Sequence, residues 1–168
     1  MSFLIIFGAK YLYLVIGLIA AIVFLISTNS VKKMLLVLSA LVLPLSYLLA
    51  KILGFFIQSP RPFVVDHLKP LINASTDNGF PSDHTLLSMS IALVIVTYNK
   101  KVGGILILLA LCVGVSRVLA NVHHPSDIIG SIFIAVLAIS ISMYSLKRFK
   151  KIEYLLDLLL KKLWLLKT

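Results

Sequence analysis

Apolar residues run along this chain in five long blocks, approximately 3–27, 34–56, 82–98, 102–120 and 128–146, broken by short polar junctions. Each block approaches the ~20 residues that carry an α-helix across the hydrocarbon core of a bilayer. The pattern therefore predicts an all-α membrane protein, a bundle of about five transmembrane helices. Blocks three and four are the shortest. Their charge-free stretches, 85–98 and 102–116, would rise only about 21 to 23 Å at 1.5 Å per residue, against a core of roughly 30 Å. Their polar ends must be met by protein or water. Beyond the fifth block the period changes: Leu155, Leu156, Leu159, Leu163 and Leu166 recur at helical spacing, with Glu153, Asp157 and Lys161 on another face. That predicts a C-terminal interfacial amphipathic helix over 152–168, following a transmembrane domain over 1–151.

Composition agrees with the pattern. Of 168 residues 60% are hydrophobic and 13% charged, with a mean hydropathy of +1.07. A soluble domain carries about twice that charge. The first block has neither a basic leader nor a small-residue cleavage site before 28–33, so it reads as a retained helix. Cys112, the lone cysteine, has no partner for an internal disulfide and sits in an apolar run, which reads as a core position. The net charge of +10 raises the idea of nucleic acid. In a chain this apolar, however, the placement of Lys and Arg matters more than their sum.

That placement is asymmetric. Lys32 and Lys33, Lys100 and Lys101, and Lys147, Arg148, Lys150 and Lys151 all fall on one side if five helices cross. With Lys161, Lys162 and Lys167 that side holds eleven of the sixteen basic residues, and the positive-inside tendency makes it cytoplasmic. The amphipathic tail then lies on the inner leaflet. The other face receives 57–81 and 117–127, and with them His67, His84, His123 and His124. The chain is thus expected in the cell membrane as a multi-pass protein with its polar site on the outer or periplasmic side.

Three clusters on that outer face concentrate chemistry: Pro60-Arg61-Pro62, Pro81-Ser82-Asp83-His84, and Ser116-Arg117 followed by His123, His124 and Asp127. Ionisable groups at membrane depth are costly, which makes function their default reading. Arg61 alone would pass for a side chain snorkelling at a helix end. Ser82 is placed to cap a helix beginning near Asp83, with His84 in the first turn beside free backbone N–H groups, a ready anion site. His123 and Asp127 are four apart, so a helix starting near Pro125 would let the carboxylate orient the imidazole as a nucleophile. Two permanent cations, a helix N-terminus and two histidines suit a tetrahedral phosphate. The competing reading is a metal site built from Asp83, His84, His123, His124 and Asp127. Arg61 and Arg117 would repel the cation, and no familiar metal-ligand spacing is present, so neither metal nor cofactor is expected.

With these residues in view, the chain resembles the type 2 phosphatidic acid phosphatase superfamily, whose motifs read Lys-x6-Arg-Pro, Pro-Ser-Gly-His and Ser-Arg-x5-His-x3-Asp. The third is complete here, from Ser116-Arg117 through His123 to Asp127; the second departs only at Asp83; the first keeps Arg61-Pro62 but has Gly54 at the lysine position. Lys51, one turn before Gly54, is the candidate replacement. The resemblance spans about 46–144, and the superfamily's usual six helices make five or six the expected number.

The resemblance implies that His123 attacks phosphorus to form a phosphohistidine, that Asp127 orients it, and that His84 protonates the leaving oxygen. Arg61, Arg117 and Ser82 would hold the phosphate oxygens without a metal. His124 falls off the motif by one and is read as a packing residue. The Pro-Ser-Asp-His variant and the small size look like bacterial undecaprenyl-diphosphate phosphatases, which implies hydrolysis of that lipid to undecaprenyl phosphate. Phosphatidylglycerol phosphate, phosphatidic acid and lipid A 1-phosphate are alternative substrates. Non-catalytic binding or transport of an anionic lipid is the alternative of another class. The expected partners are thus the bilayer and a lipid phosphate or diphosphate, not nucleic acid.

Overall fold

The computed structural model describes residues 2–148 together with Tyr154 and Leu158. The amphipathic helix expected over 152–168 otherwise lies outside the described residues. Seven helices and no strand are present among them: α1 (Ser2–Lys10), α2 (Leu12–Ile26), α3 (Asn29–Phe56), the single turn α4 (Pro62–Val65), α5 (Asp83–Tyr98), α6 (Lys100–Leu119) and α7 (Pro125–Arg148). The all-α membrane reading holds. By length and composition α3, α6 and α7 can each cross a bilayer.

The first apolar block is not one helix. It breaks at Tyr11 into α1 and α2, bent by 52°, with no proline or glycine at the break. A side chain inserted into the helical hydrogen-bond ladder is another established cause of such a bend, and one is present: Arg117 Nη1 donates to the Ala9 carbonyl at 3.2 Å. Counting the bent pair as one span gives four candidates. The remaining block, α5, has 16 residues and rises about 24 Å, too short to count on length alone.

That short helix is the centre of the bundle. α5 packs against α2, α3, α6 and α7, and its buried residues, including Leu86, Ser88, Met89, Ala92 and Ile95, fall on every side. A helix apolar all round belongs inside. Protein therefore surrounds the helix least able to span lipid, as its polar first turn requires. Small residues bring the neighbours close. A Cβ at Gly114 of α6 would stand 2.5 Å from Ile128 Cγ2 and 3.4 Å from Thr85. Cys112, by contrast, is exposed on the outer face of α6; apolarity alone does not distinguish a lipid-facing from a buried position.

The bundle has two chemically distinct ends. At one, Ser30, Lys33, Thr97 and Lys147 line a cavity of about 380 Å³, so the basic starts of α3 and α6 and the basic end of α7 lie together. At the other, the C-termini of α3 and α6 meet the N-termini of α5 and α7, with the loops 57–82 and 120–124 laid over them.

Gly114→Leu is expected to lower the melting temperature in detergent, since its Cβ meets the Ile128 side chain of α7 and overpacking costs about 1–3 kcal/mol. Gly104→Ala, where an added Cβ meets nothing within 4 Å, is the matched control. Equal melting temperatures for the two variants would contradict close α6–α7 packing at Gly114.

Candidate active site

α7 starts at Pro125, whose missing N–H costs nothing at a first helical position. The residues just before and just after that start therefore face one another. Asp127 Oδ2 accepts from the His124 backbone N–H at 2.9 Å, and His123 Nδ1 donates to the same oxygen at 3.3 Å. Both side chains are buried, at 2% and 0% exposure. With Nδ1 committed as donor, Nε2 keeps its lone pair, and this nitrogen accepts from Arg61 Nη1 at 3.3 Å and Arg117 Nη2 at 3.2 Å. The network thus assigns the tautomer.

Burial, helped by the two neighbouring guanidiniums and opposed by the hydrogen bond to Asp127, holds His123 below the ordinary histidine value of 6.5. The imidazole is accordingly neutral at physiological pH.

The two arginines arrive from different directions. Arg117 ends α6 and is tied to Ala9 at the α1–α2 break. Arg61 precedes α4 and donates to the Val122 carbonyl at 3.0 Å. Its Nε and Nη2 also donate to Asp77 Oδ1 at 3.1 and 2.9 Å. The Ser75 hydroxyl donates to that same oxygen at 2.6 Å and, ahead of Arg61, holds the Asp77 carboxyl below its usual range. His84 sits half-buried in the first turn of α5, with the Tyr13 ring edge-on to it at 4.7 Å between centroids. These residues surround a cavity of about 510 Å³ whose lining includes Arg61, Asp77, Asp83, His84, Arg117 and His123.

Five of the six expected site residues therefore cluster closely: His123, His84, Arg61 and Arg117 line the cavity, and Asp127 stands directly behind His123. Ser82 is set further back. It is fully buried, it makes no capping hydrogen bond to the first turn, and its Oγ accepts instead from Thr85 Oγ1 at 3.1 Å. Ser131 fixes its carbonyl at 3.0 Å. His124 plays a packing part, donating through Nε2 to the Pro60 carbonyl at 3.0 Å. The seven-residue span from Gly54 to Pro60 is held to the rest of the loop by Asn78. The Asn78 amide donates to the Gly54 and Ile57 carbonyls at 2.7 and 2.8 Å and accepts from the Ser59 N–H at 2.8 Å.

Position 54 has no room for a side chain, because a Cβ there would stand 2.9 Å from the Phe80 carbonyl oxygen. Lys51, the candidate replacement, has its ammonium 5.0 Å over the Tyr47 ring and lines a cavity with Gly54, Gln58 and Asn78 that also takes in Arg61, Asp77 and Asp83 but not His84, Arg117 or His123. Sequence reasoning missed Asp77, Asn78 and Tyr13. The first two had a signal, since Asp77-Asn78-Gly79 is a turn sequence whose side chains bond nearby backbone.

This arrangement can present a neutral imidazole nitrogen to an electrophile while two guanidiniums take up negative charge beside it. The PAP2 superfamily model matches residues 33–151, and the chain belongs to that superfamily. The bacitracin transport permease protein BcrC of Bacillus licheniformis is 29% identical over 155 residues, covering 90% of this chain and 75% of that one. The undecaprenyl-diphosphatase BcrC of Bacillus subtilis (strain 168) is 37% identical over 78 residues, 46% of this chain and 40% of its own length. Among solved structures, the crystal structure of Aquifex aeolicus LpxE is similar with a TM-score of 0.65 at 26% identity, covering 85% of this chain and 82% of that one.

Asn78→Ala removes the donor to two carbonyls and is expected to destabilise the protein by about 1–3 kcal/mol. A lowered melting temperature in detergent, with a loosened Arg61 seen as faster amide exchange across 57–65, is the expected pair of results. A wild-type melting curve would show that the loop is held elsewhere.

Proposed function

We propose that this protein is a membrane lipid phosphatase that hydrolyses undecaprenyl diphosphate to undecaprenyl phosphate and inorganic phosphate on the outer face of the cell membrane. The observation that carries the reading is His123 Nε2, unprotonated and faced by Arg61 and Arg117. A phosphate arriving there meets the nucleophile and its two charge clamps at once. Superfamily membership supports phosphatase chemistry, and the name of the Bacillus subtilis relative supports the diphosphate substrate. The segregation of Lys33 and Lys147 to the far end of the bundle supports an outward-facing site and a cytoplasmic C-terminus.

In the proposed reaction Nε2 of His123 attacks the terminal phosphorus. An N–P bond forms as the bond from phosphorus to the bridging oxygen breaks, and His84, neutral in the free protein and protonated once the anionic head group is bound beside it, gives its proton to that oxygen. Asp127 holds Nδ1–H and balances the positive imidazole. Arg61, Arg117 and the first-turn amides of α5 hold the non-bridging oxygens; Ser82 joins them by turning its hydroxyl from Thr85. Water, deprotonated by His84, then attacks phosphorus, breaks the N–P bond and releases phosphate. Guanidiniums occupy the ground beside Nε2 that a metal ion would need, which supports metal-independent turnover.

The test is phosphate release by the purified protein from undecaprenyl diphosphate, phosphatidylglycerol phosphate, phosphatidic acid and lipid A 1-phosphate, with and without chelator. Turnover fastest on the diphosphate, unaffected by chelator and abolished in His123→Ala is expected. Asp127→Asn should lose about 10²–10⁴ in kcat. Equal rates on phosphatidylglycerol phosphate would defeat the substrate assignment. The Bacillus licheniformis relative's name brings in transport, and release from no lipid would favour that reading.

A pH profile gives an independent check. The nucleophile must be deprotonated, and burial lowers the His123 pKa, so the acid limb of kcat/KM should fall below 6.5. An acid limb above that value would mean that His123 is not the titrating base.

A further inference from the structure

The cavity around His123 has a third cation that none of the three motifs supplies. Lys10 ends α1 and lines the cavity with Arg61, Arg117, His84 and His123. Its position is set by the bundle: Ala9 beside it is fully buried and its carbonyl accepts from Arg117, so the α1–α2 break is fastened to the site. The side chain has a single aromatic contact among the described residues. Its ammonium lies 5.4 Å from the Tyr11 ring centroid and has no carboxylate partner among the described residues.

We propose that Lys10 is the site's diphosphate-specificity residue, its ammonium binding the anionic oxygens that Arg61 and Arg117 leave unpaired; this deepens, and rests on, the lipid-phosphatase reading above. Charge is the first reason. The guanidiniums of Arg61 and Arg117 face the carboxylates of Asp77 and Asp83 across the same cavity, and with neutral imidazoles these cancel. Arg61 in particular already gives Nε and Nη2 to Asp77. Lys10 turns a formally neutral lining into a positive one, as a head group with two phosphates requires. Space is the second reason. At roughly 30 Å³ per water in the liquid, a cavity of about 510 Å³ holds more than one phosphate. Position is the third: position 54 cannot carry a side chain, and Lys51, although its cavity shares Arg61, Asp77 and Asp83 with the site, does not line the cavity that holds His84, Arg117 and His123, whereas Lys10 does. A compact ammonium on a flexible four-carbon stem can follow a second phosphate where a fixed guanidinium fork cannot.

The experiment compares wild type, Lys10→Ala, Lys10→Arg and Lys51→Ala in detergent, with farnesyl diphosphate and farnesyl phosphate as substrates. Inorganic pyrophosphate binding by calorimetry supplies a readout that needs no turnover. Losing a charge-assisted contact should raise KM for the diphosphate, and weaken pyrophosphate, about tenfold in Lys10→Ala. The monophosphate KM should change less than threefold, about a third of that effect. Lys10→Arg should restore most of the loss, and Lys51→Ala should match wild type. A Lys10→Ala protein within twofold of wild type in both diphosphate KM and pyrophosphate affinity overturns the proposal, as does a loss confined to Lys51→Ala. Should wild type release phosphate from no lipid, the phosphatase reading fails by itself. Pyrophosphate affinity then still decides whether Lys10 is an anion ligand.

Discussion

Arg61, Arg117, His123 and Asp127 are all buried at one end of a bundle that is otherwise apolar. Charges so placed are costly unless paired and hydrogen-bonded, and much of the local architecture follows from supplying partners, although Arg117 Nε and Asp127 Oδ1 have none among the described residues. Asp127 accepts hydrogen bonds from the Nδ1–H of His123 and the His124 backbone N–H, which fixes the start of α7. Arg117 takes a carbonyl from α1, which bends the first apolar block. Arg61 takes Asp77 and Val122, which folds the long loop back over the helix ends. The same contacts leave the Nε2 lone pair of His123 between the two guanidiniums. What stabilises the buried charge also prepares a nucleophile.

The central placement of α5 serves this arrangement. Its first turn carries Asp83 and His84 into the site with Ser82 buried behind them, and protein packs against most of the rest of the helix. Backbone N–H groups at its N-terminus would be prohibitive against lipid. Here they open toward a polar cavity, where an anion can meet them. The bundle thereby keeps a short helix, a charged cluster and an open cavity together at one end, with Lys33 and Lys147 at the other.

Local features of this site were legible in the sequence, and long-range ones were not. The four-residue spacing of His123 and Asp127 across a helix start is decided within a turn, and the structure brings the two together. The apolar blocks likewise report the helices, since an apolar run in lipid has few alternatives to a helix. The break at Tyr11 left no trace near position 11, because the carbonyl it frees is taken by Arg117, 108 residues away. Ser82 sits where a cap belongs, but the Thr85 hydroxyl takes its Oγ instead. Lys51 is one helical turn from Gly54, close enough to suggest substitution, yet the loop packed on α3 through Asn78 leaves it in a neighbouring cavity that shares Arg61, Asp77 and Asp83 with the site but not His123. Lys10 could be found only from the fold, as α1 reaches the site through tertiary contact alone.

The central claim is that Nε2 of His123 becomes covalently attached to phosphorus. Rapid quenching of the purified protein during turnover of a lipid diphosphate labelled in its terminal phosphate, followed by peptide mapping under alkaline conditions, tests it most directly. The account predicts acid-labile label on the peptide containing His123 and none in His123→Ala. Label on another residue, or turnover without a phosphoenzyme in wild type, would contradict it.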